Sequence, residues 1–206
     1  MFKDRKEAGK ILAEKLQAYT GKDTIILGIP RGGVVVADQV AKILNLRLDV
    51  LVIKKLGYPG DEEFAIGATS ADTYALNENA RGVPKEYIAK EVKRRQQEAQ
   101  QRYLLLKGTQ KMPRLNDKVV ILIDDGIATG ATMGLAIEII KKQKPKKVVV
   151  AIPVAPPEAF RKLKAIADEV ICPLIPESFM AIGEFYERFD QVQDDEVKEI
   201  LKRYGK

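Results

Sequence analysis

Two adjacent carboxylates, Asp124 and Asp125, close an apolar run that reads VVILI from 119 to 123. A loop of small residues follows: Gly126, Ile127, Ala128, Thr129, Gly130, Ala131 and Thr132. A buried strand of this kind delivers both acids to its C-terminal edge, and the loop leads into a helix. Free backbone N–H groups at a helix start, the helix dipole and two Thr hydroxyls together make an anion site. Small side chains let the backbone close round a phosphate. Paired carboxylates at one lip suit the two neighbouring hydroxyls of a ribose, or a hydrated magnesium ion. A phosphate cradle beside a diol binder reads as a ribose 5-phosphate site. A tight strand-to-helix turn with no ligand would use the same residue types.

A second turn, Pro30-Arg31-Gly32-Gly33, follows the apolar run TIILGI and offers one guanidinium beside two glycines. Other chemistries fall away by composition. The 206 residues contain no histidine and a single cysteine, Cys172. Histidine-dependent triads, histidine-ligated zinc, internal disulfides and cysteine metal clusters are therefore impossible. Gly130 is followed by Ala131 rather than by Lys-Ser/Thr, so the loop is no nucleotide P-loop, and the turn after TIILGI lacks GxGxxG. Lys+Arg 35 against Asp+Glu 29 gives a net charge of +6, a surface that draws anions without coating DNA. The charged start MFKDRKEAGK lacks the apolar core of a signal peptide, and no apolar run is long enough to span a bilayer. These features point to a soluble chain in a reducing cytoplasm.

The elements that must position these groups alternate. Asp4 and Glu7 are spaced as an acidic capping box, opening a helix with Ala8, Ile11, Leu12, Leu16 and Tyr19 on one face. Strands are expected at TIILGIP, 48–53, 119–124, 147–155 and 169–174. Helices are expected at 34–44, 85–106, from the end of the loop DGIATGAT (125–132) through 140, and at 157–167, with a last short one whose N-cap is Asp194. The lapse of apolar spacing around Arg94-Arg95-Gln96-Gln97 leaves the middle of the longest helix in solvent. Between 54 and 80 the pattern weakens, and a mobile loop followed by a hairpin is expected. Strands alternating with helices predict an α/β fold, a doubly wound and mainly parallel sheet with ligands beyond the strand C-termini.

The order hydrophobic strand, Asp-Asp, two residues, Ala-Thr-Gly-Ala-Thr resembles the diphosphoribosyl-binding signature of type I phosphoribosyltransferases. With GIPRGGVVVA, KKLGYPGDEEFAIGA and AIPVAPPEAF, the whole chain is similar to a bacterial and archaeal branch of predicted phosphoribosyltransferases with no settled acceptor. The resemblance implies one phosphoribosyltransferase domain over 1–206, an insertion with lid and long helix at 55–112, and a C-terminal hood at 174–193. It implies that Asp124 and Asp125 hold the ribose hydroxyls of 5-phosphoribosyl 1-diphosphate (PRPP), and that residues 128–132 cradle its 5-phosphate. Pro30, Arg31, Gly32 and Gly33 match the diphosphate loop, where the family often has a cis peptide. Arg31 counts with the two acids as catalytic.

Magnesium is the implied cofactor, reaching the protein through PRPP and water with Asp124 and Asp125 as candidate contacts. Lys54, Lys55 and Tyr58 fall in the region that supplies the family's lid; the lysines serve equally well as solvated strand-end charges. Phe179 is the candidate ring to stack on an acceptor base, with Phe185, Tyr186, Glu184 and Glu187 nearby; alternatively the aromatics pack the tail onto the sheet. Ala128 stands where hypoxanthine-guanine enzymes carry a carboxylate, which disfavours that acceptor class. The expected function is transfer of ribose 5-phosphate to a nucleobase or related nitrogen heterocycle. The rival is a PRPP-sensing regulator or nucleic-acid binder, and a weaker third is chemistry on a ribose phosphate with another leaving group. Basic stretches at 85–111 and 141–147 are read as solubilising, since no aromatic RNA-binding signature accompanies them. The family commonly forms homodimers. Cys172 is read as an inert core residue.

Overall fold

A computed structural model describes every residue except Lys22, Gln110, Lys111 and Lys206. Its centre is a five-stranded, all-parallel sheet formed by β1 (Thr24–Gly28), β2 (Arg47–Val50), β6 (Val119–Ile123), β7 (Lys147–Ala151) and β8 (Glu169–Ile171), in the order β2-β1-β6-β7-β8. Alternating strand residues face opposite sides. Ile26, Ile121 and Ile123 meet the helices α1 (Arg5–Lys15), α2 (Gly32–Leu44), α3 (Lys85–Lys107) and α6 (Asp194–Lys202). Ile25, Leu27, Val120 and Leu122 meet α4 (Ala131–Lys141) and α5 (Pro157–Ile166). The chain runs outward from β1 to β2, then returns to the far side of β1 with β6. The direction of winding thus reverses between β1 and β6, and ligands of open α/β sheets bind at such a reversal, beyond the strand ends.

The expected doubly wound sheet is present, but several boundaries differ. The beginning of the 54–80 segment, expected as a mobile loop, is instead a strand pair, β3 (Lys54–Tyr58) and β4 (Asp61–Thr69), joined by a turn at 59–60. The hairpin expected after it is present as β4 with β5 (Tyr74–Leu76), and the three form a separate antiparallel sheet. Register shifts on either side of Gly57 interrupt the alternation that would mark a strand in sequence. The middle of α3 is only partly in solvent: Arg94 and Gln97 are exposed, but the helix is tied down there. Glu91 is buried there, and Arg94 and Arg95 each bond both Glu91 on α3 and Glu62 on the hairpin, at 2.8–2.9 Å. The apolar spacing lapses because this contact is ionic. Much of the basic charge of α3 is consequently met within the chain; Lys111, the end of that basic stretch, lies outside the described residues.

Gly32 and Gly33 belong to the first turn of α2 rather than to a loop before it. The strands expected at 147–155 and 169–174 are shorter than read, each continued by a single bridge between Val154 and Leu174. Asp194 is not the N-cap of α6, which is Gln193; its carboxylate is gripped by both terminal nitrogens of Arg102. At α1, Asp4 accepts from the amides of Lys6 and Glu7, but Glu7 reaches back to the amide of Lys3, one residue beyond the expected box.

Candidate active site

The turns after β1 and β6 meet at the reversal point. Beyond β1, the Pro30–Arg31 peptide is cis, as the family resemblance implies for this loop. Arg31 is the N-cap of α2, and Gly32 begins the helix. Beyond β6, Asp124 and Asp125 sit directly against this helix start. A Cβ on Gly33 would lie 2.8 Å from the Asp124 Cα, and one on Gly32 would lie 1.8 Å from the Asp125 Oδ2. Only glycine allows this approach. The first amides of α2 have no partner within the helix and open beside the carboxylates.

The two acids are held differently. Asp124 Oδ1 accepts the backbone N–H of Asp125 at 2.8 Å. Part of Asp124 still reaches solvent, yet packing around its carboxyl, with the Asp125 charge next in importance, raises its pKa well above the ordinary aspartate range; Arg5 pulls weakly the other way. Asp125 Oδ2 accepts from Arg5 Nε at 2.7 Å, with both side chains largely enclosed. The Tyr186 hydroxyl donates to the Asp125 carbonyl at 2.6 Å.

Residues 128–132 lie as the sequence suggests, in the loop and first turn entering α4. Ala128, Thr129, Ala131 and Thr132 are exposed, and Gly130 takes the left-handed conformation (φ 77°) at the N-cap. Thr129 Oγ1 accepts from the Ala131 amide at 3.4 Å, and the following amides begin the helix with their N–H groups unmet inside it. The geometry is that of an open anion cradle at the positive end of a helix dipole.

Other expected residues stand apart. Lys54 approaches Glu98 on α3 at 3.9 Å, Lys55 is exposed, and the Tyr58 ring meets Phe64 edge-on at the hairpin tip. Phe179 stacks on Phe185 with centroids 5.2 Å apart, in a cluster that also holds Phe2, Ile182 and Tyr186. Glu184 Oε2 accepts from the amides of Met180 and Ala181, at 3.3 and 3.4 Å, and so braces the turn it ends. This C-terminal segment nevertheless touches the acidic loop: a Cβ at Gly126 would lie 2.5 Å from Ile182 Cγ2. Cys172 is half-buried; burial pushes its thiol up to about 11, and Sγ contacts the Leu174 carbonyl at 3.2 Å, consistent with an unreactive thiol.

Sequence reading missed Arg5 and Phe189, and it placed Tyr186 with the hood rather than on the Asp125 carbonyl. The Arg5 guanidinium lies over the Phe189 ring, 3.8 Å from its centroid, and donates through Nη1 to the Asp190 carbonyl at 2.8 Å. Gly9 sets the reach of α1, since a Cβ there would lie 2.6 Å from the Val36 carbonyl; the two helices pack closely enough to bring Arg5 to Asp125. The only trace in the sequence is an arginine in the first turn of a helix, a position that carries no chemical signal by itself.

The chain is similar to known proteins over most of its length. Residues 3–187 match the family described as Phosphoribosyl transferase domain. Two Mycobacterium tuberculosis proteins, MT0597 and Rv0571c, provisionally named phosphoribosyl transferases, are 40% identical over 208 residues. The alignment covers 98% of this chain but 47% of each relative, so the chain spans about half their length. The crystal structure of TT1426 from Thermus thermophilus superposes with a TM-score of 0.89 at 39% identity, covering 98% of both chains. A purine phosphoribosyltransferase from Pyrococcus horikoshii shares the fold, with a TM-score of 0.50 at 21% identity over 90% of both chains. With a domain match over most of its length and the parallel sheet of the type I enzymes, the chain belongs to the phosphoribosyl transferase family.

Proposed function

We propose that this chain transfers the 5-phosphoribosyl group of PRPP to a ring nitrogen of a nucleobase or related heterocycle. The anomeric C1–O bond to diphosphate breaks, a C1–N bond forms, diphosphate leaves with the bonding electrons, and the acceptor nitrogen gives up its proton. The observation that carries the reading is the meeting of the Asp124–Asp125 pair with the α2 N-terminus at Gly32-Gly33, one loop away from the anion cradle at 128–132. Diol, diphosphate and 5-phosphate thereby have separate places on one donor.

The work asked of the protein is orientation and charge stabilisation rather than nucleophilic attack. Asp124 and Asp125 hold the ribose hydroxyls, Arg31 and the first α2 amides take the diphosphate, and Thr129, Thr132 and the α4 amides take the 5-phosphate. Magnesium fits as an ion carried by substrate oxygens and water. Among the described residues no group of three His, Cys, Asp or Glu side chains gathers to cage a metal, whereas hydrated magnesium needs only a carboxylate or two. Asp124 and Asp125 are the residues that would touch it, and bound there it would offset charge on the departing diphosphate. The β3–β4 hairpin, with Lys54, Lys55 and Tyr58, serves as the lid that excludes water. The hood at 174–193 supplies the acceptor face, with Phe179 as its ring and Glu184 bracing the turn. The reaction belongs to the cytoplasm, where its donor and acceptors are made and used.

Incubation with PRPP, magnesium and a panel of nucleobases, followed by mass detection of ribonucleotide products, tests this directly. PRPP with magnesium should also stabilise the fold, by about 2.7 kcal/mol at a hundredfold excess over Kd, and so raise the melting temperature; Asp125→Asn should remove most of that rise. Donor binding without any product from the panel would favour the PRPP-sensing regulator, and failure to bind PRPP would overturn both.

A further inference from the structure

We propose that Arg5 is a donor-site residue. With one edge of its guanidinium it fixes Asp125 for the ribose hydroxyls, and with the other it faces the diphosphate of the same donor. The inference rests on the donor-site reading above and assigns a role to a residue outside the two turns, after β1 and after β6, that carry the family motif.

Three observations converge on it. The first is hydrogen-bonding capacity left over on a held side chain. Arg5 Nε is spent on Asp125 and Nη1 on the Asp190 carbonyl, while Nη2 has no protein partner among the described residues and keeps access to solvent. A guanidinium already fixed on two sides has a third nitrogen to offer an anion.

The second observation is position. Arg5, Arg31, Gly32, Phe189, Gln191 and Val192 line one cleft of about 350 Å³, with the Asp125 carboxylate on Arg5 Nε at 2.7 Å and that of Asp194 3.9 Å from Arg31 Nη1. The N-terminus of the 13-residue helix α2 opens at Gly32 in the same cleft. Two guanidinium groups beside a helix N-terminus are the chemistry that recognises a diphosphate.

The third is immobility. Phe189 covers one face of the guanidinium, and Gly32 leaves room for its edge, since a Cβ there would lie 2.8 Å from Nε. The fork is held in one plane before any ligand arrives, so little ordering is left to be done on binding.

Arg5 is thus a positioning residue for Asp125 and a binding residue for diphosphate, and the two roles separate experimentally. Calorimetric titration compares the unaltered protein, Arg5→Gln and Arg5→Lys, each with PRPP, inorganic diphosphate or ribose 5-phosphate in the presence of magnesium. Arg5→Gln should weaken PRPP and diphosphate by about tenfold or more, and ribose 5-phosphate, which has no diphosphate, by about threefold at most. Arg5→Lys, which keeps the charge without the fork, should fall between the two. If Arg5→Gln does not fold, Arg5→Lys carries the same comparison of ligands. PRPP affinity unchanged in a folded variant, or equal losses for all three ligands, overturns the inference alone. Failure of the unaltered protein to bind PRPP overturns the donor-site reading, and this inference with it.

Discussion

Gly32 and Asp125, on different loops and 93 positions apart, are in such close contact that a methyl group on Gly32 would lie 1.8 Å from the carboxylate oxygen. Gly32→Ala therefore forces Asp125 or the start of α2 to move. An overpacking cost of about 1–3 kcal/mol is expected, together with loss of most of the PRPP-induced rise in melting temperature. A variant as stable as its parent, with the full ligand response, would show that Asp125 can leave its place without consequence.

Asp124 should act against stability. Its folded pKa is raised by burial and by Asp125. An unfolded aspartate titrates near about 3.9; above that pH the native state keeps a proton that the unfolded chain has released, so stability falls as pH rises through the window up to the folded value. Asp124→Asn, which can still accept from the Asp125 amide, should melt higher than the parent at neutral pH while losing donor binding. Melting curves should converge as pH falls toward about 4. A stability difference independent of pH would contradict the raised pKa.

The hairpin tip should exchange its amides faster than the central sheet, and more slowly once donor and acceptor are bound. Its tether is the Glu62 carboxylate, which holds both Arg94 and Arg95. Arg95→Gln should accelerate exchange across 57–63 and leave β1 and β6 unchanged. Identical protection of the hairpin with and without ligands would remove its role as a lid.

Phe179→Ala should weaken acceptor binding at least several-fold, as expected for a lost stacking contact worth about 1–3 kcal/mol, and leave PRPP affinity intact. Phe185 already covers one face of Phe179, so a base would take the other. If the variant unfolds or loses PRPP to the same degree, the ring belongs to the packing of the tail.

The elements that carry the donor motif were legible because each is written in contiguous residues. VVILI followed by Asp124-Asp125 is strand and lip in one run, and the apolar spacing from Val34 to Leu44 marks the helix that meets it. The β3–β4 hairpin was not, because its bulged pairing at Gly57 breaks the alternation on which strand reading depends. Asp194 precedes an apolar helical pattern and so reads as a cap, but Arg102, 92 residues away, captures it. Arg5 lies 120 residues from the acid it binds. Contacts of that span are made by packing, and local spacing holds no record of them.

The segments around Phe2 and Tyr186 are sewn together. The Phe2 amide donates to the Phe185 carbonyl at 2.7 Å, the Glu187 amide to the Phe2 carbonyl at 2.8 Å, and the Arg188 amide to the Lys3 carbonyl at 3.1 Å. This seam imposes a timetable on biosynthesis. A nascent chain emerges N-terminus first, so Arg5 is made long before Phe189, and the enclosure around Asp125 cannot close until both are free of the ribosome. Until then Phe2 and Ala8 lack the apolar cover that Tyr186 later gives them.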